Sequence, residues 1–124
     1  MTGEELVTRA EAAAANAYAP YSRYLVGASV LARDGRIFDG VNVENAAYPL
    51  GVCAEKTAIG KAASEGLRPG DLEAIGITAS PCGGCRQWLH EWRLGRVWFR
   101  REDGSIAEYE PAGLLPDTWN LPDS

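Results

Sequence analysis

The chain has 124 residues, 46% of them apolar, a formal net charge of −5 and a pI of about 4.8. That length suits one domain with a single core, taken as 1–124, and no apolar run approaches the length of a membrane span. An acidic surface repels a phosphate backbone, which disfavours a polymeric nucleic-acid substrate.

Thr2-x-x-Glu5 forms a capping box that opens a helix predicted to run to about Tyr18, through Leu6, Val7, Ala10, Ala13, Ala14 and Ala17, with Pro20 as its stop. Two strands are expected over Leu25–Ala32 and Arg36–Val43, joined by a tight hairpin at Asp34-Gly35. The Asn-, Gly- and Pro-rich stretch from Asn42 to Val52 reads as a long functional loop. A second helix is expected from Cys53 to about Glu65, with Gly66 ending it. A mostly apolar strand, buried on both faces, follows over Leu72–Thr78. Cys82 to about Trp92 makes a third helix. Val97–Arg101 and Ser105–Tyr109 pair as a hairpin around Asp103-Gly104, and Leu114-Leu115-Pro116 holds one helical turn before Trp119. Strands alternating with helices in this order predict an α/β sandwich on a mixed sheet.

The chain's three cysteines fall in two runs, Cys53-Ala54-Glu55 and Pro81-Cys82-Gly83-Gly84-Cys85, each at a predicted helix start. The acidic N-terminus does not read as a signal peptide, so a reducing, cytoplasmic setting is expected, where metal ligation is favoured over disulfides. Three protein ligands leave one position of a tetrahedral zinc open, as a catalytic site requires. Free N–H groups and partial positive charge at a helix start favour the thiolate. Cys82 and Cys85, three apart, share one face of a first turn. Glu55, beside the open position, is the expected general acid/base. Three thiolates burden zinc with negative charge, and Lys56 and Arg86, each directly after a site residue, are candidates to offset it.

Two other readings remain at this point. A redox Cys-x-x-Cys has no use for a third cysteine, and a structural zinc wants a fourth ligand. The single histidine, His90, lies five residues past Cys85 and off its face, and reads as a surface or packing residue.

The cysteine runs match the pattern of zinc nucleobase deaminases, in which a Cys or His is followed by x-Glu and later by Pro-Cys-x-x-Cys. Further matches are Pro20-Tyr21-Ser22-Arg23-Tyr24-Leu25-Val26-Gly27-Ala28, Asn42-Val43-Glu44-Asn45-Ala46, Tyr48-Pro49, Arg86-Gln87 and Leu114-Leu115-Pro116. Through these segments nearly the whole chain resembles the small zinc-dependent cytidine deaminases of pyrimidine salvage. The resemblance implies a three-layer sandwich with a five-stranded mixed sheet between helices, and a homotetramer with shared active sites. It implies hydrolysis of cytidine and deoxycytidine to uridine and deoxyuridine with release of ammonia. It also implies zinc on Cys53, Cys82 and Cys85, ribose binding by Asn42 and Glu44, and base reading by Ala54 and Glu55. Further substrate contacts are implied at Tyr24, Ala46, Tyr48 and Trp119.

Four positions depart from the family's pattern. Tyr24 stands where relatives usually carry Phe, and Lys56 where they carry Arg. Only Ala79-Ser80 separates the third strand from Pro81, where relatives have a longer loop. Trp119 takes the place of a Phe that closes a neighbouring subunit's site. A deaminase for another cytosine nucleoside is the nearest alternative, and the set Asn42, Glu44, Asn45 and Tyr48 argues against it.

Overall fold

A computed structural model, which describes residues 1–120, arranges those residues as nine α-helices and β-strands, with two short 3-10 turns between them. They are α1 (Gly3–Ala13), β1 (Gly27–Ala32), β2 (Ile37–Val41), α2 (Ala54–Ser64), β3 (Leu72–Ile77), α3 (Gly83–Glu91), β4 (Arg96–Arg100), β5 (Ile106–Tyr109) and α4 (Pro111–Leu114). The strands form one sheet in the order β2-β1-β3-β4-β5, with β3 and β4 parallel and the other pairs antiparallel. The five-stranded mixed sheet expected from the sequence is therefore present. Among the described residues no helix is long and apolar enough to cross a membrane.

The predicted capping box opens α1: the Glu5 N–H donates to Thr2 Oγ1 at 3.1 Å, and the Thr2 N–H donates to Glu5 Oε1 at 2.9 Å. The helix ends sooner than its periodicity suggests, passing into a 3-10 turn at Ala14–Asn16. Tertiary pairing takes the next residues. Tyr18 donates to the Asn42 carbonyl at 3.0 Å and accepts from the Glu44 N–H at 2.8 Å, so it is extended rather than helical. The segment after β2 is correspondingly less irregular than expected, with Val43 and Val52 exchanging both backbone bonds.

Alternation along the strands separates two faces. A Cβ on Gly27 or Gly76 would strike the backbone of α1, whereas one on Gly40 would strike α2, 2.4 Å from the Ala58 nitrogen. Register carries this across the sheet. Ser29 lies opposite Gly76 and faces α1, while Ala28, Val30, Ile75 and Ile77 face the other way. Those four join Ala58, Ile59 and Ala62 of α2, Leu89 of α3 and Val97 in the main core. Helices thus cover both faces, giving three layers.

Register also places the site. Gly40, Ala28, Ile77 and Phe99 form one register row near the end of the sheet where β2, β3 and β4 finish. Loops leaving those strands, and the starts of α2 and α3, gather there. Ligands of open α/β sheets bind at such strand ends.

Candidate metal centre and substrate cavity

Cys53 and Cys82 occupy the N-cap positions of α2 and α3, where Ser, Thr, Asp and Asn are usual because their side chains cap the first turn. Neither cysteine makes a side-chain capping bond, so both sulfurs stand clear of the helix ends. Cys85 lies within the first turn of α3 and is fully buried. The three sulfurs lie within 4.8 Å of one another, with Cys53 Sγ and Cys82 Sγ 3.9 Å apart. A disulfide needs about 2.05 Å, so these thiols are not bonded. Tetrahedral zinc with bonds of about 2.3 Å would hold its sulfurs about 3.8 Å apart. The cluster fits that ion.

Among the described residues this is the only such group of three, and no fourth Cys, His, Asp or Glu completes it. His90 Nε2 instead lies 3.0 Å from Thr118 Oγ1 and 2.7 Å from Asn120 Oδ1, on the tail. The donor set is three sulfurs with an open side.

Burial outweighs the helix starts in setting two of the three thiols. Cys53 is pushed up by burial and by the neighbouring Cys82 and Glu55, and Cys85 is pushed far up by burial, Glu55 and Cys53. Burial also acts upward on Cys82, but the Cys85 N–H and the neighbouring sulfurs overcome it and hold Cys82 below the ordinary thiol range. The expectation that helix ends would favour every thiolate holds for this one alone. A cation at the shared point is what would stabilise the rest as thiolates.

Glu55, on the first turn of α2, is only 4% exposed. Burial drives its carboxyl above the usual range, offset in part by its own N–H, the Cys85 thiol and the Lys56 charge. A carboxyl raised in this way exchanges protons nearer neutrality, as a general acid/base must. Lys56 is thus one of the groups that act on this carboxyl. Its ammonium also sits 6.0 Å over the Trp88 ring, linking α2 to α3.

Arg86 spends its hydrogen bonds on the loop before α3 and on α4. Its guanidinium donates to the Pro81 carbonyl at 2.9 Å, the Leu114 carbonyl at 3.0 Å and Ser80 Oγ at 3.1 Å. None of these bonds reaches a sulfur. The fork clamps the loop that delivers Cys82 and ties it to α4, a positioning role that residue spacing alone does not reveal.

A cavity of about 730 Å³ opens over the cysteines, lined by Tyr24, Asn42, Glu44, Tyr48, Cys53, Ala54, Glu55 and Cys82 among others. Most of the expected substrate residues are thus brought together. Ala46, Lys56, Arg86 and Trp119 lie outside its lining, and Trp119 is 70% exposed.

Asn42 and Glu44 do more than face the cavity. Asn42 Oδ1 accepts from the Val26 N–H at 2.9 Å, and its amide donates to the Tyr24 carbonyl at 2.8 Å. Glu44 accepts from the N–H groups of Tyr21 and Ser22 at 3.0 and 3.1 Å, and from the Ser22 hydroxyl. These bonds, led by those from Ser22, hold the Glu44 carboxyl below its ordinary range. The capacity left includes one amide hydrogen of Asn42 and one carboxylate lone pair of Glu44, a donor and an acceptor two residues apart. That is the complement of a pair of hydroxyls.

Ser22, Thr78, Ser80 and Phe99 also line the cavity and were missed by sequence reasoning. Ser22 stood in a motif run, but only the fold brings it to Glu44. Nothing local marked the others.

Comparison with known proteins agrees with this geometry. The family model "Cytidine and deoxycytidylate deaminase zinc-binding region" matches residues 1–101. A cytidine deaminase from Sporosarcina psychrophila is 40% identical, over 99% of this chain and 95% of that protein. One from Mycobacterium tuberculosis is 39% identical over 90% of this chain and 84% of its own length. The crystal structure of cytidine deaminase from Burkholderia pseudomallei superposes with a TM-score of 0.88 at 41% identity, covering 96% of this chain and 100% of that one. With a matching domain, full-length relatives and a three-sulfur site beside a buried glutamate, the chain belongs to the cytidine and deoxycytidylate deaminase zinc-binding family.

Proposed function

We propose that this protein is a cytidine deaminase, hydrolysing cytidine and deoxycytidine to uridine and deoxyuridine with release of ammonia. The observation that carries this reading is the convergence of three sulfurs on one point beside a carboxyl that is 4% exposed. Cys53, Cys82 and Cys85 would hold the zinc, which would supply Lewis acidity to activate water at neutral pH.

This chain's own residues do the rest. Glu55 takes one proton from the attacking water and passes it to N3 of the ring, then takes the second from the oxygen now bonded to C4 and passes it to the departing nitrogen. Its burial keeps those transfers out of bulk solvent. Asn42 donates to a ribose hydroxyl and Glu44 accepts from one, through the capacity left after they brace residues 21–26. The Tyr24 ring lies against the base, and the Ala54 backbone reads its edge.

The assembly is a homotetramer with shared sites. Tyr24 and Tyr48, which line the cavity, are 61% and 90% exposed, and Tyr21 and Leu50, close to them in sequence, are 60% and 69% exposed. So much apolar surface marks an interface. Trp119 acts there, across the interface, on a neighbour's substrate, whereas Tyr48 lines this chain's own cavity and Ala46 is a further substrate contact. The chain works as one domain in the cytoplasm, on free nucleosides of pyrimidine salvage rather than on polymers. Its net charge of −5 supports the choice of neutral substrates.

Steady-state rates on cytidine, deoxycytidine, cytosine and CMP, followed by ultraviolet absorbance, test this. Cytidine and deoxycytidine are the expected substrates. Cytosine leaves Asn42 and Glu44 unpaired, and CMP brings a phosphate near the Glu44 carboxylate, so both should be poor. Comparable efficiency on either would contradict the assignment.

A further inference from the structure

Two polar side chains of α3, Arg86 and His90, lie one turn apart and both act on the segment that follows β5. Arg86 donates to the Leu114 carbonyl at 3.0 Å, which fixes the end of α4. His90 reaches further along the chain. Its Nε2 lies 2.7 Å from Asn120 Oδ1 and 3.0 Å from Thr118 Oγ1. An amide oxygen only accepts, so Nε2 carries a hydrogen and donates it to Asn120, with Thr118 Oγ1 as a second acceptor. Among the described residues these are the only side-chain hydrogen bonds that reach residues 116–120.

Two residues that flank a third and meet at one atom leave the middle one on the other side, because successive side chains alternate along an extended segment. The middle residue here is Trp119. Thr118 is half-buried, whereas the Trp119 ring is 70% exposed. Burial alone would choose the reverse, with the indole turned in and the hydroxyl out. The bend before them is also unfavourable by itself. Asp117 takes φ 52, in the left-handed region that a side chain enters at a cost. Two bonds from one imidazole thus hold an arrangement that the tail's own packing does not favour.

Building on the deaminase reading, and on its homotetramer in which Trp119 acts on a neighbour's substrate, we propose that His90 is a positioning residue for the reaction. Its Nε2–H fixes which way residues 118–120 face, and so presents the indole, already ordered, to a second copy of this chain. An arm ordered before substrate arrives loses less conformational freedom on binding. His90 lies outside the cavity lining and touches no reacting atom. Its loss should therefore raise KM and leave kcat almost unchanged.

The test follows cytidine turnover by the zinc-loaded wild type and four variants. His90→Leu removes the N–H, and His90→Gln can place an amide N–H at the same point. Trp119→Ala and the His90→Leu/Trp119→Ala double variant complete the cycle. His90→Leu should raise KM by about threefold to tenfold, the scale of one lost hydrogen bond, with kcat within about twofold. His90→Gln should restore KM. The double variant should be no worse than Trp119→Ala alone, since one effect runs through the other. Hydrogen exchange gives a reading independent of turnover. The amides of residues 118–120 should exchange about threefold to tenfold faster in His90→Leu and return to wild-type rates in His90→Gln. An unchanged KM in His90→Leu while Trp119→Ala raises it, or losses that multiply in the double variant, would overturn the proposal. So would equal behaviour of His90→Leu and His90→Gln, or unaltered tail exchange in His90→Leu. A wild-type KM in Trp119→Ala would instead remove the reading of Trp119 on which the proposal rests, and absence of cytidine turnover by the wild type would remove the deaminase reading.

Discussion

Glu44 and Arg86 show how much of the site's chemistry lies in holding its walls. Glu44 spends three acceptor positions on Tyr21 and Ser22, which keeps its carboxyl below the ordinary range. A lowered folded-state value means that the contact is fully formed above the usual glutamate range and is lost as pH falls through the lower value. Nucleoside affinity should therefore persist through the ordinary glutamate titration and fail only at more acid pH. Binding of a non-hydrolysable cytidine analogue against pH checks this, and Glu44→Gln should abolish that acid-side step. Arg86 offers a second test, because charge and geometry separate there. Arg86→Lys keeps the charge but loses the fork that grips Pro81, Ser80 and Leu114. It should speed zinc loss to a chelator by about tenfold, and Arg86→Ala should do the same. Wild-type retention in Arg86→Lys would return the residue to a purely electrostatic role.

At the scale of elements, the site depends on how closely α2 lies on β2. Gly40 has room for no Cβ, since one would sit 2.4 Å from the Ala58 nitrogen and 2.5 Å from the Ala54 carbonyl oxygen. Gly40→Ala should cost about 1–3 kcal/mol in denaturant unfolding, as overpacked cores do, and should displace the helix start that carries Cys53 and Glu55. The strands, the hairpins and both cysteine-bearing helices could be read from the sequence, because alternation, Asp-Gly turns and a glycine stop are local signals. The end of α1 could not. Its alanine periodicity continues toward Tyr18, but pairing with Asn42 and Glu44 competes and wins. The site divides in the same way. Cys53, Glu55, Cys82 and Cys85 were legible from spacing, whereas the roles of Ser22, Ser80 and Arg86 depend on contacts between segments distant in sequence. The pull of burial on Cys53 and Cys85 was equally hidden, since helix position says nothing about depth.

For the whole molecule, the proposed assembly places the exposed aromatic side chains and the exposed Trp119 between subunits. Sedimentation should show a tetramer. Trp119→Ala should weaken substrate binding, and mixing it with Glu55→Gln subunits should recover some complete sites. In such mixtures an intact Glu55 meets an intact Trp119 from the neighbour. A fully active monomer would refute this arrangement. The account as a whole stands on a metal-bearing site that needs one buried carboxyl. Its most direct test is cytidine turnover by Glu55→Gln protein whose zinc content matches that of the wild type. The expected result is one zinc per chain in both proteins, with turnover in the variant reduced by about 10²–10⁴-fold. Near-wild-type turnover by the variant, or none by the zinc-loaded wild type, would contradict it.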